Sequence, residues 1–323
     1  MRFIIIILLS AVISVTLVAF FLINQTEAVT IGIAVWGDND GYYRNVDGFK
    51  AGLEKFGFIE NKNIKFIIKN AHTDRQAQIS IIQDFINDKV DLIYTITTPA
   101  TLIAKEMTSE IPIVFSIVTF PVESGIIERL DHSGNNLVGT SNHIPINKQL
   151  DLFSDITPLT KIGFVHRYGE PNSDIQFSEL KDYADKHGIE IIEIAPRDMT
   201  EVEGAVLHVI NNVDIFYNAC DTLIQTGANK IIIKIALENK KPIVACNEDD
   251  VVEGALFGDV ANFNELGTRS AQKAALILQG IKPGSLITET QEHANIIINL
   301  NTAKLLGIKI PEEIIVIADR IIP

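Results

Sequence analysis

Cysteine is scarce in this chain of 323 residues, which contains only Cys220 and Cys246. Because none lies near the start, we expect no lipid tether on an N-terminal cysteine. Each cysteine ends an apolar run that reads as a strand, at 215–220 and 242–246. If these strands are neighbours, a disulfide can form, whereas the alternative is two buried free thiols. The sequence leaves both alternatives open.

Basic charge is also in short supply. The chain has 27 Lys and Arg against 41 Asp and Glu, for a formal net charge of -14. A surface that follows nucleic-acid phosphates needs a basic excess, so nucleic acid is excluded as a partner. With 47% hydrophobic and 21% charged residues, the composition is that of a globular protein. The length is sufficient for two domains.

Catalytic motifs are missing as well. There is no GxSxG elbow, no GxxxxGK[ST] or GxGxxG phosphate loop and no HExxH metal motif. The seven histidines are scattered, without metal-ligand spacing. Glu170, Asp221 and Glu248 could act as acid–base groups, but nothing in their spacing favours this over hydrogen bonding to a ligand. We therefore predict a protein without enzymatic activity, cofactor or metal.

The N-terminus carries the longest apolar run, residues 3–23 after Arg2. A basic residue followed by an apolar core is typical of a secretory signal, and residues 26–28 offer a cleavage site. About 20 apolar residues also suffice to span a bilayer, so an uncleaved anchor that contacts the membrane is the alternative. In both cases we expect the body of the protein to lie in the periplasm or on the outer face of the cytoplasmic membrane.

From residue 29 onward, apolar strand-like runs alternate with amphipathic helix-like runs. This pattern predicts an α/β fold with two doubly wound, Rossmann-like lobes. A turn-rich stretch, 135–145, reads as a crossover. We expect residues 29–141 plus about 262–292 in lobe 1, and 142–261 plus about 293–323 in lobe 2, after a signal or anchor at 1–28. Ligands of open α/β sheets bind at the carboxyl ends of the strands, so we expect a cleft between the lobes.

One strand-to-helix turn, at residues 97–101, has the features of an anion site. Pro99 suits the first helical turn, and Thr98 before it is a predicted N-cap. The free N–H groups and the positive dipole end of such a helix would face the cleft. Six further polar loops are expected at the same edge, at residues 37–43, 119–122, 140–142, 168–173, 218–222 and 247–250. Together these loops indicate a polar small-molecule site.

In the order and spacing of several short stretches, the sequence resembles the ABC-transporter substrate-binding proteins of the tryptophan/tyrosine-type group, which have the type I periplasmic-binding-protein fold. The matching stretches cover the chain from about residue 30 to 321: 47–53, 88–93 leading into 98–100, 111–115, 139–141, 148–150, Glu170 with 172–173, 265–267, 306–308 and 310–313.

The resemblance implies a receptor that closes two lobes on a small molecule and delivers it to an ABC permease and its ATPase. Members are associated with aromatic and other hydrophobic amino acids and with other small solutes. The ligand contacts that we predict from the resemblance and from the loops are Tyr42, Thr98, Ala100, Thr119, Phe120, Thr140, Ser141, Asn142, Glu170, Asn172, Ser173, Asp221, Asn247 and Glu248.

Three positions depart from the family pattern, which usually has Asp where this chain has Phe120, Asn142 and Asn247. A buried ligand ammonium needs a carboxylate partner. The departures therefore weaken the assignment of an amino-acid ligand, unless other carboxylates such as Asp221 and Glu248 compensate. The alternative function is a membrane-anchored extracytoplasmic sensor of the same fold, which would retain residues 3–23 as a permanent helix.

Overall fold

The computed structural model describes residues 28–291 and 294–323. The predicted signal or anchor at residues 3–23 lies outside the described residues. Among the residues that are described, no helix is both long and apolar enough to cross a membrane. Two sheets organise the described chain.

Sheet 1 has six strands in the order β11-β5-β4-β3-β1-β2, all paired in parallel. Its central strand β3 is buried along its whole length, as expected for an apolar strand covered by helices on both faces. The strands are β1 Val29–Val35, β2 Ile64–Asn70, β3 Leu92–Ile96, β4 Ile113–Ser116, β5 Leu137–Ser141 and β11 Glu289–Thr290. Helices α1 Asp40–Lys55 and α9 Phe263–Leu278 cover one face, and α2 Arg75–Asn87 and α3 Thr98–Met107 cover the other.

Sheet 2 has seven strands in the order β13-β12-β10-β9-β8-β6-β7, and its β12 runs antiparallel to β10. Its strands are β6 Lys161–Val165, β7 Glu190–Ile194, β8 Ile215–Asn218, β9 Ile243–Val244, β10 Phe257–Val260, β12 Asn295–Asn299 and β13 Arg320–Ile322. Two further clusters of buried apolar side chains flank this sheet. Its helices are α4 Ile146–Ser154, α5 Pro171–His187, α6 Met199–Val209, α7 Asn229–Glu238, α8 Glu248–Glu253, α10 Leu300–Leu306 and α11 Glu312–Ile317.

We use lobe 1 for sheet 1 with its helices and lobe 2 for sheet 2 with its helices. The chain passes between the lobes after β5, after β10 and after β11. The α/β class and the type I periplasmic-binding-protein fold predicted from the sequence are confirmed. The turn-rich segment 135–145 does carry the crossing between the lobes, but it also contains the buried strand β5, which the sequence did not predict.

Glycines allow α1 and α9 to pack at very short range. A methyl group at Gly48 would lie 2.1 Å from the backbone oxygen of Asn264, and one at Gly267 would lie 2.0 Å from that of Asn45. Only a residue without Cβ fits at either position. The Asn45 amide then joins the two helices to the sheet, since Nδ2 donates to the Phe263 oxygen at 2.8 Å and to the Ser116 hydroxyl at 2.9 Å.

Candidate functional site

The carboxyl ends of the two sheets face each other across a small buried space that we call the central cavity. Its volume of about 10 Å³ is roughly the room that one water needs. Both lobes contribute side chains, so any larger ligand requires the lobes to separate. The cavity is lined by Tyr42, Thr97, Thr98, Ile117, Glu170, Asn172, Cys220, Asp221, Thr222 and Gln225.

Lobe 1 presents the start of α3 to this cavity. The helix begins at Thr98, and the N-cap is Thr97, whose φ of 86° lies in the left-handed region. The predicted N-cap role of Thr98 is therefore wrong by one residue. The buried Thr97 hydroxyl makes no cap bond and has no partner within the described chain. Because the first N–H groups of a helix lack intrahelical acceptors, this end can hold an anion.

Lobe 2 presents two buried carboxylates. Glu170 accepts hydrogen bonds from the backbone N–H of Thr222 at 3.0 Å and from its hydroxyl at 2.5 Å. Asp221 accepts from the N–H groups of Arg167 at 2.6 Å and Ile224 at 2.9 Å. These bonds fix both carboxyl groups on the loops that follow β6 and β8, where the strands end.

Burial dominates the electrostatics of this pair. Burial first, and then the nearby Glu170 charge, raise the pKa of Asp221 to about 8, against the hydrogen bonds that lower it. Burial likewise raises the pKa of Glu170, opposed by the Thr222 hydrogen bonds and the Arg167 charge. Two carboxylates that resist ionisation when alone become favourable partners for a ligand cation.

Several polar atoms at the cavity have no hydrogen-bond partner within the described chain. They are the Tyr42 hydroxyl, the Thr97 hydroxyl, Asn172 Oδ1 and Gln225 Oε1. Tyr42 comes from lobe 1, yet its pKa is raised by burial and then by the Glu170 and Asp221 charges of lobe 2. Buried polar groups are normally paired, so this set points to a polar ligand.

A disulfide forms part of the wall. Cys220 and Cys246 are bonded, with Cα atoms 5.1 Å apart, which decides between the alternatives left open by the sequence. The bond is possible because β8 and β9, which precede the two cysteines, are neighbouring parallel strands. Gln225 Nε2 donates to Cys246 Sγ at 3.6 Å.

The structure brings five of the predicted contacts together at the central cavity: Tyr42, Thr98, Glu170, Asn172 and Asp221. Ser173 lies beside them, and its hydroxyl donates to the backbone oxygens of Arg167 and Glu170. The other predicted residues lie elsewhere.

Ala100 is packed in a hydrophobic cluster of lobe 1. The Thr140 hydroxyl lies within hydrogen-bonding distance of Ser270 on α9, because alternate residues of a strand point to opposite faces. Thr119, Phe120 and Ser141 line a separate groove of about 390 Å³, next to Asn142, which accepts from Thr119. Asn247 and Glu248 lie in a third groove, where Glu248 pairs with Arg320.

Other residues at the cavity were not singled out from the sequence. Thr97, Cys220 and Thr222 belong to loops 97–101 and 218–222, which the strand pattern did predict to face the cleft. Ile117 and Gln225 carried no such signal. Gln225 belongs to a kinked helical segment, Ile224–Ala228, in which Thr226 and Gly227 depart from helical backbone angles.

Comparison with known proteins places this geometry in context. The family model described as "ABC transporter substrate binding protein" matches residues 30–322. A tyrosine-binding protein of Clostridioides difficile is 36% identical over 287 residues, which cover 88% of this chain and 83% of that protein.

Among solved structures, a Streptococcus pneumoniae ABC domain in complex with L-Trp has a TM-score of 0.88 at 25% identity, with 92% of this chain and 100% of that one covered. A ligand-free, open substrate-binding protein from Clostridium difficile has a TM-score of only 0.71 at 31% identity, covering 91% and 99%. The higher score to the complex, despite the lower identity, agrees with lobes that contact each other around the cavity.

Proposed function

The chain belongs to the ABC transporter substrate binding protein family, and we propose that it is the extracytoplasmic receptor of an ABC importer, with an aromatic α-amino acid as its ligand. Proteins of this family and its structural neighbours bind solutes and are not enzymes. The two lobes, with the bounds predicted from the sequence, would close on the ligand and present it to a permease.

The observation that carries this proposal is the pairing of opposite chemistries in one cavity. The start of α3 in lobe 1 suits the ligand carboxylate, and Glu170 with Asp221 in lobe 2 suits its ammonium group. A zwitterion would therefore bind both lobes at once. The names of the relatives, one tyrosine-binding and one in complex with L-Trp, support the same class.

The departures from the family pattern at Phe120, Asn142 and Asn247 weaken the assignment of an amino-acid ligand less than the sequence alone indicates. None of these residues lines the central cavity. Glu170 and Asp221 already supply two buried carboxylates there, which suffice to balance one ammonium charge.

The polar atoms of the cavity that lack a hydrogen-bond partner in the described chain favour a ligand whose side chain can donate a hydrogen bond. Gln225 Oε1 is an acceptor without a partner in the described chain, and its residue also lines a larger cavity of about 480 Å³ at the cleft mouth. A phenol or indole donor could satisfy this oxygen, whereas a phenyl ring could not. We therefore propose that tyrosine and tryptophan are preferred over phenylalanine.

A thermal-shift screen of residues 29–323 tests the proposal. L-tyrosine and L-tryptophan at about 100 times their Kd should stabilise the protein by roughly 2.7 kcal/mol. Tyramine lacks the carboxylate and 4-hydroxyphenylpropionate lacks the ammonium group, so both should give much smaller shifts. Equal shifts from either analogue, or a shift only from a sugar or nucleoside, would overturn the assignment.

Delivery to a permease rests on the family and on the predicted export segment. N-terminal sequencing of the mature protein tests how it is retained. A mature protein that begins near Val29 fits a released receptor. A mature protein that still contains residues 3–23 fits a membrane-tethered receptor or sensor. Uptake of labelled tyrosine by cells that lack the gene would then separate transport from sensing, since only a transport receptor lowers uptake when lost.

A further inference from the structure

We propose that the Cys220–Cys246 disulfide is a redox-sensitive positioning element for the ligand site, so that its reduction weakens ligand binding without unfolding lobe 2. The inference rests on the proposed ligand site. It concerns how the two carboxylates and Gln225 are held rather than what they bind.

The disulfide lies beside the proposed ligand site. Cys220 lines the central cavity and directly precedes Asp221, whereas Cys246 lies in the loop between β9 and α8. The disulfide therefore ties together the two loops that follow β8 and β9. Within the described chain, the other backbone link beside these loops is the pairing of β8 with β9, a strand of just two residues.

The loop that contains Cys220 is hydrogen-bonded to its neighbours and holds both cavity carboxylates. The Cys220 N–H donates to Gln176 Oε1 at 2.8 Å, and its carbonyl accepts from Asn172 Nδ2 at 2.9 Å. Two residues later, Thr222 supplies both hydrogen bonds that hold Glu170. A displacement of this short loop would move Asp221 directly and Glu170 through Thr222.

The disulfide also orients Gln225. Its Nε2 donates to Cys246 Sγ, which leaves Oε1 at the cavity as an acceptor with no partner in the described chain. A disulfide sulfur has no hydrogen to donate, so it holds the amide in this orientation. A reduced Cys246 carries an S–H donor, which can donate to the amide oxygen instead. The Gln225 amide can then turn, so that Oε1 is no longer held towards the ligand.

Redox chemistry and binding are then linked. Reduction by a dithiol adds two electrons and two protons to the S–S bond, giving two thiols while the dithiol becomes a disulfide. If the oxidised protein binds the ligand about tenfold more tightly, the ligand must lower the reduction potential of this bond by about 30 mV. Because Cys220 lines the cavity, a bound ligand should also slow attack by the dithiol.

The test compares oxidised protein, dithiothreitol-reduced protein and the C220S/C246S variant, using L-tyrosine as the probe. We expect on the order of tenfold weaker binding in the reduced and variant forms. Hydrogen exchange is the second readout, and it needs no ligand. The Cys220 and Thr222 amides should exchange faster on reduction, while amides of β6 and β8 stay protected.

Each outcome decides the matter. Unchanged exchange at Cys220 and Thr222, or unchanged affinity for L-tyrosine, would overturn the inference. A uniform rise of exchange across sheet 2 would overturn it too, because the disulfide would then hold the whole lobe. If the oxidised protein fails to bind any amino acid, the proposed function fails, whereas the local exchange result still decides whether the disulfide positions the loop.

Discussion

Arg44 of lobe 1 and Asp249 of lobe 2 are joined across the mouth of the cleft, with one guanidinium nitrogen 2.8 Å from each carboxylate oxygen. Both side chains are partly exposed, at 42% and 29%. Such a pair contributes modestly, because solvent screens it. Because the ion pair joins the two lobes, it stabilises the closed arrangement of the lobes rather than the fold of either one.

We predict that Arg44→Ala weakens amino-acid binding about 1.4- to fivefold, since a partly exposed ion pair is worth roughly 0.2–1 kcal/mol. Asp249→Ala should have a similar effect, and the double variant should be no weaker than either single variant. Arg129→Ala, which breaks a pair with Asp131 inside lobe 1, is the control. Isothermal titration calorimetry measures all four variants, and additive losses would argue against a shared contact.

Neutralising a cavity carboxylate should have a larger effect. Asp221→Asn or Glu170→Gln should weaken binding of L-tyrosine about 30-fold or more, because loss of one partner of a buried charge pair costs roughly 2 kcal/mol at least. Asp259→Asn is a matched control, since Asp259 is also a buried lobe 2 carboxylate but does not line the central cavity. Equal losses for all three variants would mean a general effect on lobe 2.

Stability without ligand should fall as pH rises. Burial raises the pKa of Asp221 to about 8 in the folded protein, from the usual 3.8, so the native state binds more protons than the unfolded state between these values. The free energy of unfolding therefore decreases from about pH 4 to about pH 8. Asp221→Asn should flatten this decline, as measured by urea unfolding at pH 5 and pH 8. The same slope in the variant would contradict the assignment.

Ligand affinity should have the opposite slope. The carboxyl groups must be ionised to pair with an ammonium group, so binding below about pH 8 releases protons to solvent. Affinity for L-tyrosine should rise between pH 6 and pH 8. Calorimetry in two buffers with different ionisation enthalpies measures the released protons directly, and proton uptake would show that the pair is not the ammonium site.

The close contact of α1 and α9 predicts that Gly48→Ala destabilises the protein. The added methyl would lie 2.1 Å from the Asn264 oxygen, so the helices must move apart, at a cost of roughly 1–3 kcal/mol. Gly204→Ala in α6 is the control, because no atom lies within 4 Å of its Cβ position. That variant should be stabilised by up to about 1 kcal/mol. Thermal unfolding of both variants provides the comparison.

Much of this fold could be predicted from the sequence, because strands such as β3 are short apolar runs and helices such as α1 have clear helical periodicity. The errors have physical causes. Strand β5 contains Gly139 and Thr140, which read as turn formers, but a methyl at Gly139 would lie 2.1 Å from the Phe115 oxygen. The glycine is therefore selected by close packing of neighbouring strands rather than by a turn.

The site was harder to predict than the fold. Loop positions along the chain identified the turns at Thr98, Glu170 and Asp221, because the carboxyl ends of parallel strands meet at one edge of a sheet. Which side chain of a loop points inward depends on strand pleat and helix phase, which placed Thr140 against α9 and Ala100 in the core. Gln225 lies in a helical segment that is kinked at Thr226 and Gly227, and residue periodicity does not reveal such a kink.

The pairing of α1 with α9 also sets an order of events during synthesis. Asn45 and Phe263, which hydrogen-bond across this pair, are 218 residues apart, so the core of lobe 1 stays incomplete until most of the chain has been made. At about 5–20 residues per second, the delay is on the order of 10–40 s. Strands β6 to β10 are contiguous and can assemble first. The N-terminal third of the nascent chain therefore remains without its partner helix until α9 has been made.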